Sequence, residues 1–378
     1  MVHRLIIAGM GNVGRDLIRL LASDREWTRL FKVVAVATGR HGVVVDEQGI
    51  DLHQLLGTVE AGRSLNQLGV APAATTAPGA DTMASSVPLS VPPPSTLDLI
   101  KQVPADILVE LTPLSIADGR PAIDHIEAAL RTGKHAVTAN KGPVAWDYAR
   151  LHALAEGAGR RFLFESAVMD GVPVFNLSRA ALRGCRVVGF RGILNSTTNF
   201  ILERLESGGT YDAAVAEAQR QGFAEADPTL DVDGWDAAAK VAALANVLMD
   251  ARIDPMKVDR TGIRGVKAGD VAAAARRGGR LKLICAAERS GVAPEGGDAG
   301  VGPGAGTGTS GGGVITTVRP EFVPLSDPFA LVSGTSSILT LKTDLLGDIT
   351  VVENDPKVMQ TAYGVLNDLL EIAGWGGR

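Results

Sequence analysis

Three features of the sequence predict an α/β protein of two domains. A glycine-rich turn near the N-terminus lies between an apolar strand and an apolar helical pattern. A late helix with almost no polar positions follows a loop crowded with carboxylates. Four strands at hairpin-like spacing then lead to a last helix whose apolar face needs a partner. The expected layout is a Rossmann-type nucleotide-binding domain over residues 1–142, completed by about 354–378, and an α+β domain with a mixed sheet over 143–353.

Composition narrows the function classes. A chain of 378 residues, 46% hydrophobic and 21% charged, can bury two cores and reads as globular. The net charge of −5 comes without a basic cluster, so neither nucleic acid nor a membrane surface is an expected partner. No apolar run approaches the ~18 residues of a membrane span, and the N-terminus runs into folded sequence without a signal peptide. Cys185 and Cys285 stand apart in apolar contexts and read as small core residues. The expected location is the cytoplasm.

Residues 5–8 read as a buried strand, followed by Gly9-Met10-Gly11-Asn12-Val13-Gly14 and the helical pattern Leu17, Ile18, Leu20, Leu21. A second strand at 33–36 completes a strand–helix–strand unit of about 30 residues, the context in which this glycine spacing signals a dinucleotide site. Gly9 allows the tight turn, Gly11 lets backbone approach a pyrophosphate, and Gly14 allows close helix packing. No acid follows the second strand to bind a ribose 2′-hydroxyl. Arg40 stands there instead, either receiving a 2′-phosphate or facing only solvent, so NADP is the expected cofactor, with NAD as the alternative.

A helical patch near 52–56 precedes an Ala/Pro/Ser/Thr-rich stretch at 70–95, expected to be a flexible excursion. A strand at 107–111 ends at Thr112. A helix at 121–131 ends on Gly133, and a strand at 136–138 delivers Lys141. Ligands of open parallel sheets lie beyond such carboxyl ends, so Thr112 and Lys141 join Gly9, Gly11, Asn12, Val13, Gly14 and Arg40 as candidate cofactor contacts.

A strand at 161–165 brings Glu165 into a turn, 166–173, with many free carbonyls. That suits a hard cation, but the residues alone favour a simple active-site loop. A strand at 189–194 ends in five polar residues, Asn195 to Asn199, expected to precede a helix at 200–205 and to cap it or hold a polar ligand. After a helix at 213–219 come Glu225, Asp227, Asp231 and Asp233, a carboxylate cluster suited to an ammonium. Strands are expected at 281–287, 314–318, 338–342 and 349–352, with a Gly-rich, disordered loop at 290–313 and a returning helix at 356–372.

Between Trp235 and Met249 the only polar side chains are Asp236, Lys240 and Asn246, so this helix should be buried nearly all round. Asp236 and Lys240, spaced i, i+4, share one face. A solvated surface pair does not fit among Ala, Val, Leu and Met, and a buried pair carries a desolvation cost that packing alone would not select. A desolvated lysine is expected to have a lowered pKa, which suits moving the hydroxyl proton during hydride transfer.

The segments GMGNVG, TANKGPV, ESAVMDGVP, GILNSTTNFIL and GFAEADPTLDVDGWDAAAK resemble those of homoserine dehydrogenases and span Gly9 to Lys240. The resemblance implies NAD(P)-dependent interconversion of L-homoserine and L-aspartate 4-semialdehyde, in the biosynthesis of threonine and methionine. It implies catalytic roles for Lys240, Lys141 and Asp236, without choosing between the lysines. Glu225 and Asp231 would bind the substrate's amino end, and Thr197 falls in the substrate loop. Glu165 with the carbonyls of Val168, Asp170 and Val172 would form a monovalent cation site, usually sodium. The family also implies a homodimer. Ser196 departs from the Gly of many members. The chain ends soon after the returning helix, so weak or absent inhibition by threonine is expected.

Two rivals stay open on the residues. One is another amino-acid dehydrogenase, such as one acting on aspartate. The other is a non-catalytic NADP sensor, in which the lysines would be idle.

Overall fold

The computed structural model describes residues 1–68, 95–222, 224–290 and 313–376. The stretches singled out at 70–95 and 290–313 lie outside the described residues except at their edges. The first unit runs β1 (His3–Ala8), α1 (Asn12–Ser23), α2 (Arg25–Leu30), β2 (Phe31–Thr38), β3 (Gly42–Val45), α3 (Leu52–Glu60), α4 (Thr96–Gln102), β4 (Ile107–Glu110), α5 (Ala122–Arg131), β5 (His135–Thr138), α6 (Lys141–Gly157) and β6 (Phe162–Leu163). Its sheet has the order β3-β2-β1-β4-β5-β6 and is parallel except for β3. The strands are near-continuous apolar runs because helices cover both faces. β1 lies between β2 and β4, so the chain reverses its direction of travel there and opens a crevice at their carboxyl ends.

The second unit follows with α7 (Val174–Asn176), β7 (Val187–Ile193), α8 (Ser196–Glu206), α9 (Tyr211–Arg220), α10 (Thr229–Val232), α11 (Trp235–Met249), β8 (Asp259–Arg260), α12 (Ala268–Arg276), β9 (Gly279–Arg289), β10 (Val314–Pro324), β11 (Ser337–Thr343), β12 (Gly347–Glu353) and α13 (Val358–Ile372). Its mixed sheet has the order β12-β11-β7-β9-β10-β8, antiparallel except for the β10–β8 pair. Among the described residues, no helix is long and apolar enough to cross a membrane.

α11 is buried as its composition requires: none of its residues is exposed, and its alanines let α6 pack closely against it. Its one deep polar side chain, Asn246, is satisfied. The amide donates to the carbonyls of Ala145 (3.1 Å) and Ile253 (2.8 Å) and accepts from Ile253 N–H (2.8 Å). The returning helix α13 lays Ala362, Val365, Leu366 and Leu369 into the core of the first unit, chiefly against α1.

Several boundaries differ from expectation. The expected domain limit at 142 falls at the start of α6, and β6 beyond it still belongs to the first sheet. The strand expected at 161–165 is only Phe162–Leu163, and Glu165 begins a 3₁₀ turn. The polar run at 195–199 does not precede its helix. α8 starts at Ser196, with Asn195 as the N-cap accepting from Thr198 N–H at 2.9 Å. Cys285 is buried, but Cys185 is half-buried, its thiol directed at Asp344 Oδ1 at 3.5 Å.

Candidate active site

The glycine turn has the geometry its spacing implies. Gly9 has φ +105°, and a Cβ there would meet the Leu111 carbonyl at 2.4 Å. A Cβ on Gly14 would meet the Gly9 carbonyl at 2.7 Å, so the helix packs where only hydrogen fits. A Cβ on Gly11 would meet nothing within 4 Å, leaving open space at the N-terminus of α1, where no side chain caps the amides. A pyrophosphate fits that cradle. Gly9 N–H donates to Ala37 O (2.8 Å) and Leu111 N–H to Ala8 O (2.7 Å), tying the ends of β1, β2 and β4 together. Arg40 is exposed in the tight turn just beyond β2.

A cavity of about 160 Å³ lies beside this crevice, lined by Val13, Thr112, Asn140, Lys141, Leu114 and Thr361, with Leu111 and Ala139. A second cavity, about 410 Å³, is lined by Lys141, Asn195, Thr197, Glu225, Asp231, Asp236 and Lys240, among others. Lys141 and Leu114 line both. The two cavities therefore meet at Lys141, the first residue of α6, whose N-cap Asn140 closes the strand end of β5.

Asp236 sits between two lysines. Lys141 Nζ lies 2.9 Å from Asp236 Oδ1, and Lys240 Nζ lies 3.6 Å from Oδ2. Lys240 also donates to the Leu194 carbonyl at 2.6 Å. Burial alone disfavours the Asp236 anion, but the flanking Lys141 and Lys240 outweigh it and hold the carboxyl far below its usual range. Burial likewise disfavours the Lys240 ammonium, but Asp236, then Asp170 and Asp231, raise its pKa. This corrects the expectation of a lowered lysine: the acid one turn away decides the sign.

Asn195 Nδ2 donates to Asp231 Oδ1 (2.7 Å) and Asp236 Oδ2 (3.0 Å), joining the acidic segment to the lysine centre. Asp231 is pushed up by burial and by Asp236, against hydrogen bonds from Asn195 and Thr197. Asn195, expected with its polar neighbours to cap the helix or hold a polar ligand, does cap it and also bridges two carboxylates of the site. Asp233 turns away from the cavity to Arg264 (2.6 Å), so the expected four-carboxylate cluster does not form.

Glu165 and its turn do not line the lysine cavity either. The Glu165 carboxylate accepts from the N–H groups of Phe175 (2.8 Å) and Asn176 (2.7 Å), and its own N–H donates to Asp368 Oδ2 (2.9 Å). Burial pushes it up to about 7, against those two amide bonds. Among the described residues, no group of three or more His, Cys, Asp or Glu side chains is placed to hold a metal ion.

Comparison with known proteins matches both units. The family described as Homoserine dehydrogenase matches residues 173–370, and that described as Homoserine dehydrogenase, NAD binding domain matches 9–165. An NAD(+)-dependent homoserine dehydrogenase of Pseudomonas canavaninivorans is 34% identical over 98% of this chain and 96% of its own length. A homoserine dehydrogenase of Methanocaldococcus jannaschii is 32% identical over 97% of this chain and 98% of its own. A hyperthermophilic archaeal homoserine dehydrogenase, solved in complex with NADPH, superposes with a TM-score of 0.75 at 26% identity, covering 98% of this chain and 97% of that one. With a glycine cradle at one cavity, a lysine–aspartate–lysine centre at the other, and family matches across both units, this chain belongs to the homoserine dehydrogenases, oxidoreductases with a nicotinamide-nucleotide-binding domain.

Proposed function

We propose that the chain interconverts L-homoserine and L-aspartate 4-semialdehyde, the hydroxyl-bearing carbon meeting the nicotinamide where the two cavities join. The observation that carries this reading is Lys141, which lines both cavities and is paired with Asp236. When bound, the nicotinamide nucleotide takes up or supplies the hydride. Lys141, at the junction, moves the hydroxyl proton. Lys240, kept as an ammonium by Asp236, holds the reacting oxygen. Asp231, with Glu225 at the exposed mouth, receives the α-ammonium, and Thr197 orients Asp231. An incoming cation suits an acid that burial has pushed up.

Gly9, Gly11, Asn12, Val13 and Gly14 hold the dinucleotide, with Thr112 at the nicotinamide end. Arg40, exposed after β2, favours NADP, as does the archaeal structure solved with NADPH, whereas the Pseudomonas relative is named for NAD. Glu165, with the carbonyls of Val168, Asp170 and Val172, takes a sodium-sized cation. The support is a buried carboxylate at about 7 that a cation would bring down. A homodimer through the second sheet is supported by exposed apolar side chains there, including Ile315, Leu345, Leu346 and Val352.

One assay tests these points together: absorbance at 340 nm with L-homoserine at mildly alkaline pH, first with NADP and then NAD, in sodium and then choline buffer. The expected result is a homoserine-dependent rate that is faster with NADP and slower without sodium. Arg40→Ser should raise KM for NADP about tenfold, as loss of a charged phosphate contact does, and leave NAD unchanged. A rate with aspartate and none with homoserine sinks the substrate assignment.

A further inference from the structure

We infer that Glu110 is a positioning residue of the cofactor cavity, one that makes the Thr112 hydroxyl an acceptor for an N–H of the nicotinamide carboxamide. Glu110 ends β4, one of the two central strands, and is completely buried. A carboxylate placed there is costly unless donors surround it. They do: Thr112 donates to Oε1 through its hydroxyl and also its N–H (3.2 Å), and the single Thr138 hydroxyl proton is shared between the Glu110 carbonyl (2.8 Å) and Oε2 (3.2 Å). His125 Nδ1 closes the back of the group, 3.4 Å from Oε1.

The consequence lies in where the hydroxyl protons go. The Thr112 hydroxyl donates to Oε1, so its single proton is committed to Glu110 and its lone pairs remain for the cavity. Thr361 is arranged alike, its hydroxyl donating to Asp170 Oδ1 at 2.6 Å. Asn140 is spent: its Nδ2 donates to the Thr112 carbonyl (2.9 Å) and its Oδ1 accepts from Gly142 N–H (2.9 Å). The cavity thus presents two hydroxyl acceptors and one cation, Lys141. A primary carboxamide, with two N–H donors and one carbonyl, is the complement of that set. Glu110 also reaches Lys141: Asn140 N–H donates to Thr138 Oγ1 (2.9 Å), and Asn140 caps the helix that begins with Lys141.

This rests on the reading that the smaller cavity takes the nicotinamide, and the test separates the two. Dissociation constants are measured by calorimetry for NADP and for its 3-acetylpyridine analogue, which has a methyl ketone and no N–H. Wild type should prefer the carboxamide. Glu110→Gln, whose amide can donate to Thr112 and free its hydroxyl to turn, should weaken NADP about tenfold, the effect of one hydrogen bond, and the analogue less than twofold. Equal weakening of both, or of neither, overturns the inference and leaves Glu110 a structural residue. Thr112→Val should show the same selectivity, and decides the matter if Glu110→Gln does not fold. Wild-type protein that binds the two forms equally refutes the underlying placement of the nicotinamide instead.

Discussion

Lys240, half-buried, and Lys282, fully buried, are both lysines withdrawn from water in the second unit, and they answer burial in opposite ways. Lys282, on β9 and 1% exposed, donates to Asn199 Oδ1 (2.8 Å) and the Val332 carbonyl (2.6 Å), neutral acceptors both. Burial dominates, and its pKa falls to about 8. Lys240 meets the same penalty but has Asp236 one helical turn away, and its pKa rises. The lowered lysine expected at the active site exists, but on β9, outside the lining of the lysine cavity. Desolvation sets the size of the problem, and the charge of the partner sets its sign.

The comparison is broken most severely by removing the paired lysine. Lys240→Met should lower kcat by about 10²–10³-fold, the range for removing a group that stabilises a developing oxyanion, while the dissociation constant for NADP stays nearly constant. Stopped-flow rates with equilibrium binding on the same preparation check both halves, and an unchanged kcat refutes the role. Asp236→Asn tests the sign directly. Without the anion, burial takes over and Lys240 comes to resemble Lys282. Expected are a fall in kcat/KM of about a hundredfold and an alkaline limb of the pH profile moved to lower pH; an unmoved limb would falsify the role of Asp236. Lys282→Met is the smallest and affects stability, not rate. With a folded pKa of about 8 against an ordinary 10.5, the unfolded chain binds the extra proton between those values, so stability rises with pH across that window. Thermal unfolding at pH 7 and pH 10 should show the rise in wild type and its loss in the variant. Identical slopes would place Lys282 in contact with water.

What the sequence disclosed follows from how each residue signals. The glycine turn was legible because strand, turn and helix follow in one short unit, and each glycine removes a definite clash. α11 was legible because a charged pair among alanines has no bland explanation. α6 was not, since Gly142-Pro143 reads as a turn and the helix is broken at Asp147, where φ is −146°, so no single apolar stripe forms. Lys282 was hidden by alternation: between Leu281 and Leu283 it reads as the solvent face of a strand. Glu110 reads as a polar strand end, and only its tertiary donors Thr112, Thr138 and His125 reveal it. Asp233 was counted with its neighbours because sequence cannot show that Arg264 draws it outward.

The placement of α13 against α1 bears on the order in which the molecule is made. The helix that seals the first sheet is synthesised after all the strands of both sheets, so β1 and α1 wait with an uncovered apolar flank until it emerges. The second unit, whose core is drawn largely from residues between α6 and β11, has nearly all its parts before then. The growing chain is therefore exposed to aggregation at β1 and α1 over that interval, and the nucleotide-binding unit is sealed only after the second unit has its parts.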